Sequence, residues 1–279
     1  MVDLDAGVIR DVSEALEALP PQRYPLPKHD LLMASLPKVV SLARKLAPKA
    51  RKVSLGRAAL LAPVANPGKI IGAPANYAKH IEEAKADAAL HRGKNLEGTV
   101  IAKWGFFLKA GSSLVGPSQG VTLRRPLSHM ENRIDHELEL VAIIGKRGTR
   151  ISRTNALKHV SAYAIGLDMS LRSTHLLSFR KSIDTYAVLG PWLVTADEFG
   201  DPGSKDLKLW VNGKLRQDAN TQDMIYDLPG LIEYASSFYT LEPGDLIYTG
   251  TPEGVGPVVE GDVMTCEIAG IGQMTVAIN

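Results

Sequence analysis

The run Asp135-His-Glu-Leu-Glu-Leu-Val-Ala-Ile-Ile-Gly145 constrains this chain more than any other segment. Leu138, Leu140, Val141, Ile143 and Ile144 make it apolar, and Gly145 closes it, which is the composition of a buried strand. Residues two apart on a strand project to the same face. Glu137 and Glu139 then stand side by side against an apolar core. Two unpaired carboxylates there are costly, so basic side chains must match them, protons must neutralise them, or a cation must hold them. Arg133 and Lys146 flank the run as possible ion-pair partners. A cation requires a third acidic ligand elsewhere in the chain.

The segment Tyr163-Ala-Ile-Gly-Leu-Asp-Met-Ser-Leu-Arg172 offers such a ligand. It reads as an apolar strand ending in Asp168, a place that equally suits an aspartate capping a turn or helix. With Glu137 and Glu139 it would complete an all-oxygen set, which favours Mg²⁺, Mn²⁺ or Ca²⁺ over zinc. In Asn76-Tyr-Ala-Lys-His-Ile-Glu-Glu83, helical spacing puts His80 and Glu83 on one face. That pair is either a solvated surface contact or a general base oriented by a carboxylate. Lys181, beside Ser182 and Asp184, is either a cation for an anionic substrate or an ordinary surface lysine. The stretch Tyr248-Thr-Gly-Thr-Pro-Glu-Gly-Val-Gly256 lacks the ending of a phosphate-binding loop and the dinucleotide-binding glycine spacing. Its hydroxyls at Thr249 and Thr251 and its amides suit a carboxylate or enolate oxygen, or form a plain inter-strand loop.

Composition removes other classes. A net charge of +2 over 279 residues supplies no field for nucleic acid or a membrane surface. The basic cluster Arg44, Lys45, Lys49, Arg51 and Lys52 has no interleaved aromatics and reads as a solvated helix face. Cys266 stands alone, which leaves no internal disulfide and no Cys/His zinc spacing. The start, Met-Val-Asp-Leu-Asp, lacks the apolar region of a signal peptide, and no apolar stretch reaches the roughly 18 residues of a membrane span. The expected location is cytoplasmic.

Residues 1–65 are expected to form a small helical extension, with helices near 13–19 and 31–46, the second interrupted by Pro37. Residues 66–279 form the main domain. A strand is expected at Lys69–Gly72, a helix from Ala75 to about Leu90, and a hairpin at 207–216 around Asn212-Gly213. A helix at 228–239 and strands at 246–248, 262–268 and 274–278 follow. Strands outnumber helices without regular βαβ alternation, so the fold class is α+β, mainly β.

Taken together, seven collinear stretches resemble the fumarylacetoacetate hydrolase family. They run Lys69 to Glu83, Phe107 to Gly116, Asp135 to Gly145, Tyr163 to Arg172, Lys181 to Trp192, Val211 to Ile225, and Leu241 to Gly256. The resemblance implies a mixed β-sheet roll with peripheral helices, and a divalent metal, usually Mg²⁺, held by Glu137, Glu139 and Asp168. It places the family's base pair on His80 and Glu83 and its catalytic lysine on Lys181. It also implies substrate contacts from Tyr77, Lys109, Arg172 and Thr251, and a homodimer. Family substrates are 2-oxo acids or 1,3-diketones.

The reading is therefore hydrolysis of a C–C bond in an acylpyruvate or diketo acid, fumarylacetoacetate- or fumarylpyruvate-like, through an enolate stabilised by the metal and Lys181. Isomerisation of a 2-hydroxy-diene-dioate is the runner-up; decarboxylation and hydration use the same chemistry. A non-catalytic relative would be expected to lose the base or a ligand, and none is missing here. Two positions depart from the pattern of many members: Leu167 stands in place of Asn and His175 in place of Gln. Both are expected near the substrate.

Overall fold

The computed structural model describes residues 1–87, 90, 101–124 and 133–279. At its centre is a seven-stranded mixed sheet. Its order is Phe107–Lys109, Ile70–Gly72, Leu246–Tyr248, Leu138–Ile144, Val160–Asp168, Ala187–Thr195 and Leu114–Val115. The pairs are antiparallel except Ile70–Gly72 with Leu246–Tyr248 and Leu114–Val115 with Ala187–Thr195. The glutamate-bearing strand is thus central, and it is buried throughout.

Both faces of that strand are covered, which explains its nearly continuous apolar run. Leu138, Leu140, Ala142 and Ile144 join a core with Leu207, Leu209, Met264 and Val276 of a second sheet. Val141 and Ile143 pack with Met33, Leu36 and Val64 from the N-terminal region. The second sheet is antiparallel, in the order Lys214–Asn220, Asp206–Val211, Val263–Ile268 and Gly272–Ala277. Its first two strands form the expected hairpin, with Asn212 and Gly213 at φ of 49° and 76°. Those are the left-handed conformations that an Asn-Gly turn supplies.

Three elements differ from expectation. The first 65 residues are not purely helical. Val2–Asp3, Val8–Arg10 and Lys52–Ser54 form a small antiparallel sheet, each strand too short to show a period of two. Pro37 does not interrupt a helix. It lies in the first turn of Leu36–Leu46, where its missing N–H has no partner to lose, and a short helix Leu31–Ala34 precedes it. The predicted helix from Ala75 runs over Ala78–Ala86, because Ala75 is left-handed (φ 49°) and Tyr77 extended. Residues 88–89 of that prediction lie outside the described residues.

The expected helix at 228–239 and the basic cluster are found as read. Helix Leu228–Phe238 is capped by Asp227, whose side chain accepts from Gly230 N. Arg44, Lys45, Lys49, Arg51 and Lys52 are exposed, as a solvated face requires. Among the described residues no helix is long and apolar enough to cross a membrane.

Candidate active site

The acidic run is not one strand. Ile134–His136 belongs to a separate three-stranded sheet with Ser170–Leu171 and Gly256–Pro257, and the central strand begins at Leu138. Glu137 sits at the crossing, where its carbonyl accepts Asp168 N at 2.9 Å. That bond ties the end of Val160–Asp168 to the start of the central strand. It brings Glu137, Glu139 and Asp168 together, all buried, with ligand oxygens within 4.8 Å of one another.

Basic groups surround this trio unevenly. Glu137 accepts Arg172 Nη2 at 2.7 Å and Lys181 Nζ at 2.7 Å. Lys181 also reaches Asp168 at 2.5 Å and Ser170 Oγ at 2.6 Å. Asp168 takes a second ammonium from Lys109. Glu139 accepts Gly250 N at 2.6 Å. The partners foreseen from sequence lie elsewhere: Arg133 makes its bonds to Asp135, at 2.8 and 3.0 Å, and to Asp87 at 2.9 Å.

The ionisation of the two glutamates follows from this asymmetry. Burial alone would raise the Glu137 carboxyl, but Lys181 and Arg172 outweigh it and hold the group well below the usual range. Glu139 is pushed well above that range, first by burial and then by the Asp168 and Glu137 charges. The trio therefore resists carrying three negative charges unaided. A divalent cation among those oxygens would relieve the repulsion, and an all-carboxylate donor set suits a hard ion. The residues fit a metal site.

A cavity of about 880 Å³ opens onto two of the three carboxylates, Glu137 and Glu139, and His80, Arg172, Lys181 and Thr251 also line it. His80 Nδ1 is 3.0 Å from Glu83 Oε2. A proton on Nδ1 donated to Glu83 would leave a lone pair on Nε2, the arrangement a general base needs. Glu83 is held in turn, since its Oε1 accepts Gly254 N at 3.0 Å. Gly254 has φ +90°, and a Cβ there would collide with the Arg216 carbonyl, so only glycine lets the loop reach Glu83 this way.

Not every sequence candidate faces the cavity. Lys109 is fully buried behind Asp168, donating also to Tyr186 O at 3.0 Å, and is not among the lining residues. Tyr77 is buried beside the Ala78–Ala86 helix, and its backbone bridges to Met224. The Thr249 hydroxyl donates to Leu140 O at 2.9 Å. Leu167 lies in the core, paired with Leu138 and Val188, and His175 contacts Ser173 and the Phe179 ring. Neither departure from the family pattern is among the cavity-lining residues, although Thr174 and Leu176 on either side of His175 are.

Gln217 is a residue the sequence did not single out. It is fully buried on the second sheet. Its Oε1 accepts Leu138 N at 3.0 Å, filling the backbone position where the acidic run changes sheets. Its Nε2 donates to Thr251 Oγ1 at 2.8 Å and to Pro252 O at 3.0 Å. One amide therefore joins the metal-ligand strand to the loop that holds Glu83. Gln217→Leu strands several buried polar groups, so chemical denaturation should show a loss of about 3 kcal/mol. The Gln-bearing hairpin carries the Asn-Gly turn signal, but nothing in the sequence says that a residue four positions past that turn points inward to the site.

A mixed sheet with a buried carboxylate trio, two of whose members share a cavity with the Glu83-paired His80, defines an α+β protein with the parts of a metal-dependent acid–base enzyme. Comparison with known proteins narrows that class. The family model described as Fumarylacetoacetate (FAA) hydrolase C-terminal matches residues 69–279, and the chain belongs to this family. It is 49% identical over 275 residues to a maleylpyruvate hydrolase of Aquipseudomonas alcaligenes, spanning 99% of this chain and 94% of that one. It also resembles the crystal structure of maleylpyruvate hydrolase from Sphingobium sp. SYK-6 in complex with manganese(II) and pyruvate. That match has a TM-score of 0.80, with 36% identity, over 100% of this chain and 94% of the other. Fumarylpyruvate hydrolase from Pseudomonas aeruginosa, in complex with Mn²⁺ and pyruvate, aligns over 76% of this chain and 90% of its own, with TM-score 0.65 and 32% identity.

Proposed function

We propose that this protein is a divalent-metal-dependent hydrolase that splits an acylpyruvate into a carboxylic acid and pyruvate. The observation that carries the reading is His80, paired with Glu83, lining the same cavity as Glu137 and Glu139. A water-activating base facing a metal-type carboxylate cluster is the equipment of hydrolysis. The 49%-identical maleylpyruvate hydrolase, and the pyruvate found with Mn²⁺ in two relatives, agree with it.

Glu137, Glu139 and Asp168 would hold the ion, with Mg²⁺ as the resident species we favour. When bound, it supplies Lewis-acid polarisation to the neighbouring oxygens of the pyruvoyl end. His80, oriented by Glu83, takes a proton from water, and the resulting hydroxide adds to the acyl carbonyl. The C–C bond then breaks, its electron pair staying on the methylene carbon as the enolate of pyruvate. The proton on His80 returns to that carbon and releases pyruvate. Lys181 and Arg172 keep Glu137 ionised throughout. Arg172 therefore acts through Glu137 as well as on the cavity wall.

We also propose that the working unit is a homodimer, which sedimentation velocity would test. For the reaction, protein supplied with Mg²⁺ or Mn²⁺ is given acetylpyruvate, fumarylpyruvate, maleylpyruvate or oxaloacetate. Pyruvate and the partner acid are both quantified. Equimolar acid and pyruvate from an acylpyruvate supports hydrolysis. Pyruvate from oxaloacetate alone, or an isomer without cleavage, refutes it.

A further inference from the structure

Thr251 lines the cavity together with Glu137 and Glu139, and it is 4% exposed. The family resemblance implies that Thr251 contacts substrate; the hydrogen bonds around it give that contact a direction. Two buried amides clamp its loop from either side. Asn76 Nδ2 donates to Thr249 O at 2.7 Å, and Gly250 N then donates to Glu139. Beyond Thr251, Gln217 Nε2 donates to Pro252 O at 3.0 Å. With the backbone held on both sides, the hydroxyl is the part of Thr251 still to be oriented.

The chemistry of its neighbours fixes which way round Gln217 stands. One end of the amide lies 3.0 Å from Leu138 N, which can only donate, so that end is the oxygen; His136 Nδ1 lies 3.3 Å from the same atom. The other end faces Pro252 O, which can only accept, so it is the NH₂. That NH₂ lies 2.8 Å from Thr251 Oγ1, and the hydroxyl must accept from it. A threonine hydroxyl still has its own proton to give. Thr249 gives its proton to Leu140 O, whereas among the described residues the Thr251 proton meets no acceptor. It is left for the cavity.

We infer that Gln217 is a positioning residue, which by donating to Thr251 Oγ1 locks that hydroxyl as a donor to an anionic oxygen at the pyruvoyl end of the substrate. The inference rests on the acylpyruvate reading and deepens it. Gln217 is fully buried and is not among the lining residues, so it acts through Thr251 alone. An unlocked hydroxyl could donate or accept and would suit a neutral group as well. A locked donor favours an oxygen that carries charge, as a carboxylate or an enolate does.

The test measures oxalate binding by calorimetry to Mn²⁺-saturated protein, in wild type, Thr251→Val, Thr251→Ser, Gln217→Met and the Thr251→Val/Gln217→Met double variant. Thr251→Val should weaken oxalate about tenfold, the loss of one hydrogen bond to a charged acceptor, and Thr251→Ser should restore most of it. Gln217→Met should weaken it about fivefold. The double variant should bind no worse than Thr251→Val, because the lock then has no hydroxyl to act on. Losses that multiply to about fiftyfold overturn the inference, as two independent structural effects would, and so does wild-type affinity in either single variant lacking the hydroxyl or the lock. A crystal structure of the wild-type oxalate complex decides the case if Gln217→Met does not fold. Thr251 Oγ1 within hydrogen-bond distance of both Gln217 Nε2 and an oxalate oxygen supports the lock; a hydroxyl turned away from either overturns it. Failure of the hydrolase reading is a separate result: oxalate then binds as described while no acylpyruvate yields pyruvate.

Discussion

Glu139→Gln will lose metal binding and turnover together while leaving the metal-free fold at least as stable as the wild type. The residue is chosen for its surroundings. A change at Glu137 would also release Arg172 and Lys181, whereas Glu139 accepts the backbone N–H of Gly250. A glutamine oxygen can still accept that bond. What disappears is the charge that a divalent ion needs. If Lewis-acid stabilisation contributes about 4 kcal/mol, turnover falls roughly a thousandfold. Calorimetric titration with Mn²⁺ should show the accompanying loss of affinity.

The stability arm has a definite sign. The folded-state carboxyl is raised, first by burial and then by Asp168 and Glu137. A carboxyl raised on folding disfavours the native state once the pH exceeds its unfolded value, so without metal its ionised form is a burden at neutral pH. Removing it should leave the metal-free melting temperature level or higher. A variant that binds Mn²⁺ normally, or one that melts far below the metal-free wild type, contradicts this account of the trio.

Glu137, Glu139 and Asp168 were legible as a potential trio because two signals are local. One is the period-two placement of carboxylates in an apolar run, and the other is an aspartate closing an apolar strand. The break at Glu137 was not legible. Asp135, His136 and Glu137 continue the same pattern in sequence, and only pairing partners far along the chain, Ser170–Leu171 and Gly256–Pro257, draw Ile134–His136 into another sheet. Gln217 was hidden for a related reason, since its bonds cross 79 positions to Leu138 and 34 to Thr251. The N-terminal strands were hidden by their length. Lys109 shows the limit of motif reasoning: the motif fixed its neighbourhood, yet whether its ammonium faces the cavity or the back of Asp168 depends on packing by the strand Phe107–Lys109 against the sheet. Leu167 teaches the same lesson in reverse: it stands beside Asp168, but a strand alternates its faces, and Leu167 takes the core side.

His80→Ala will separate catalysis from metal binding. The imidazole contacts Glu83 and lines the cavity, and it is no member of the carboxylate cluster. General-base catalysis contributes about 10²–10⁴-fold, so kcat should fall by roughly a thousandfold. The Mn²⁺ titration should match that of wild type, because the three carboxylates and their basic partners stay in place. Added imidazole should restore part of the rate, since the deleted side chain leaves room beside Glu83 for a free base. Glu83→Gln should lose nearly as much, because its one amide oxygen cannot accept both Gly254 N and His80 Nδ1–H, and an NH₂ turned to Nδ1 would put the ring proton on Nε2. A His80→Ala protein that loses its metal would make His80 a ligand or a support of the trio. One that retains full rate would move water activation to another group, and the hydrolase reading would lose the feature that sets it apart from simple enolate chemistry.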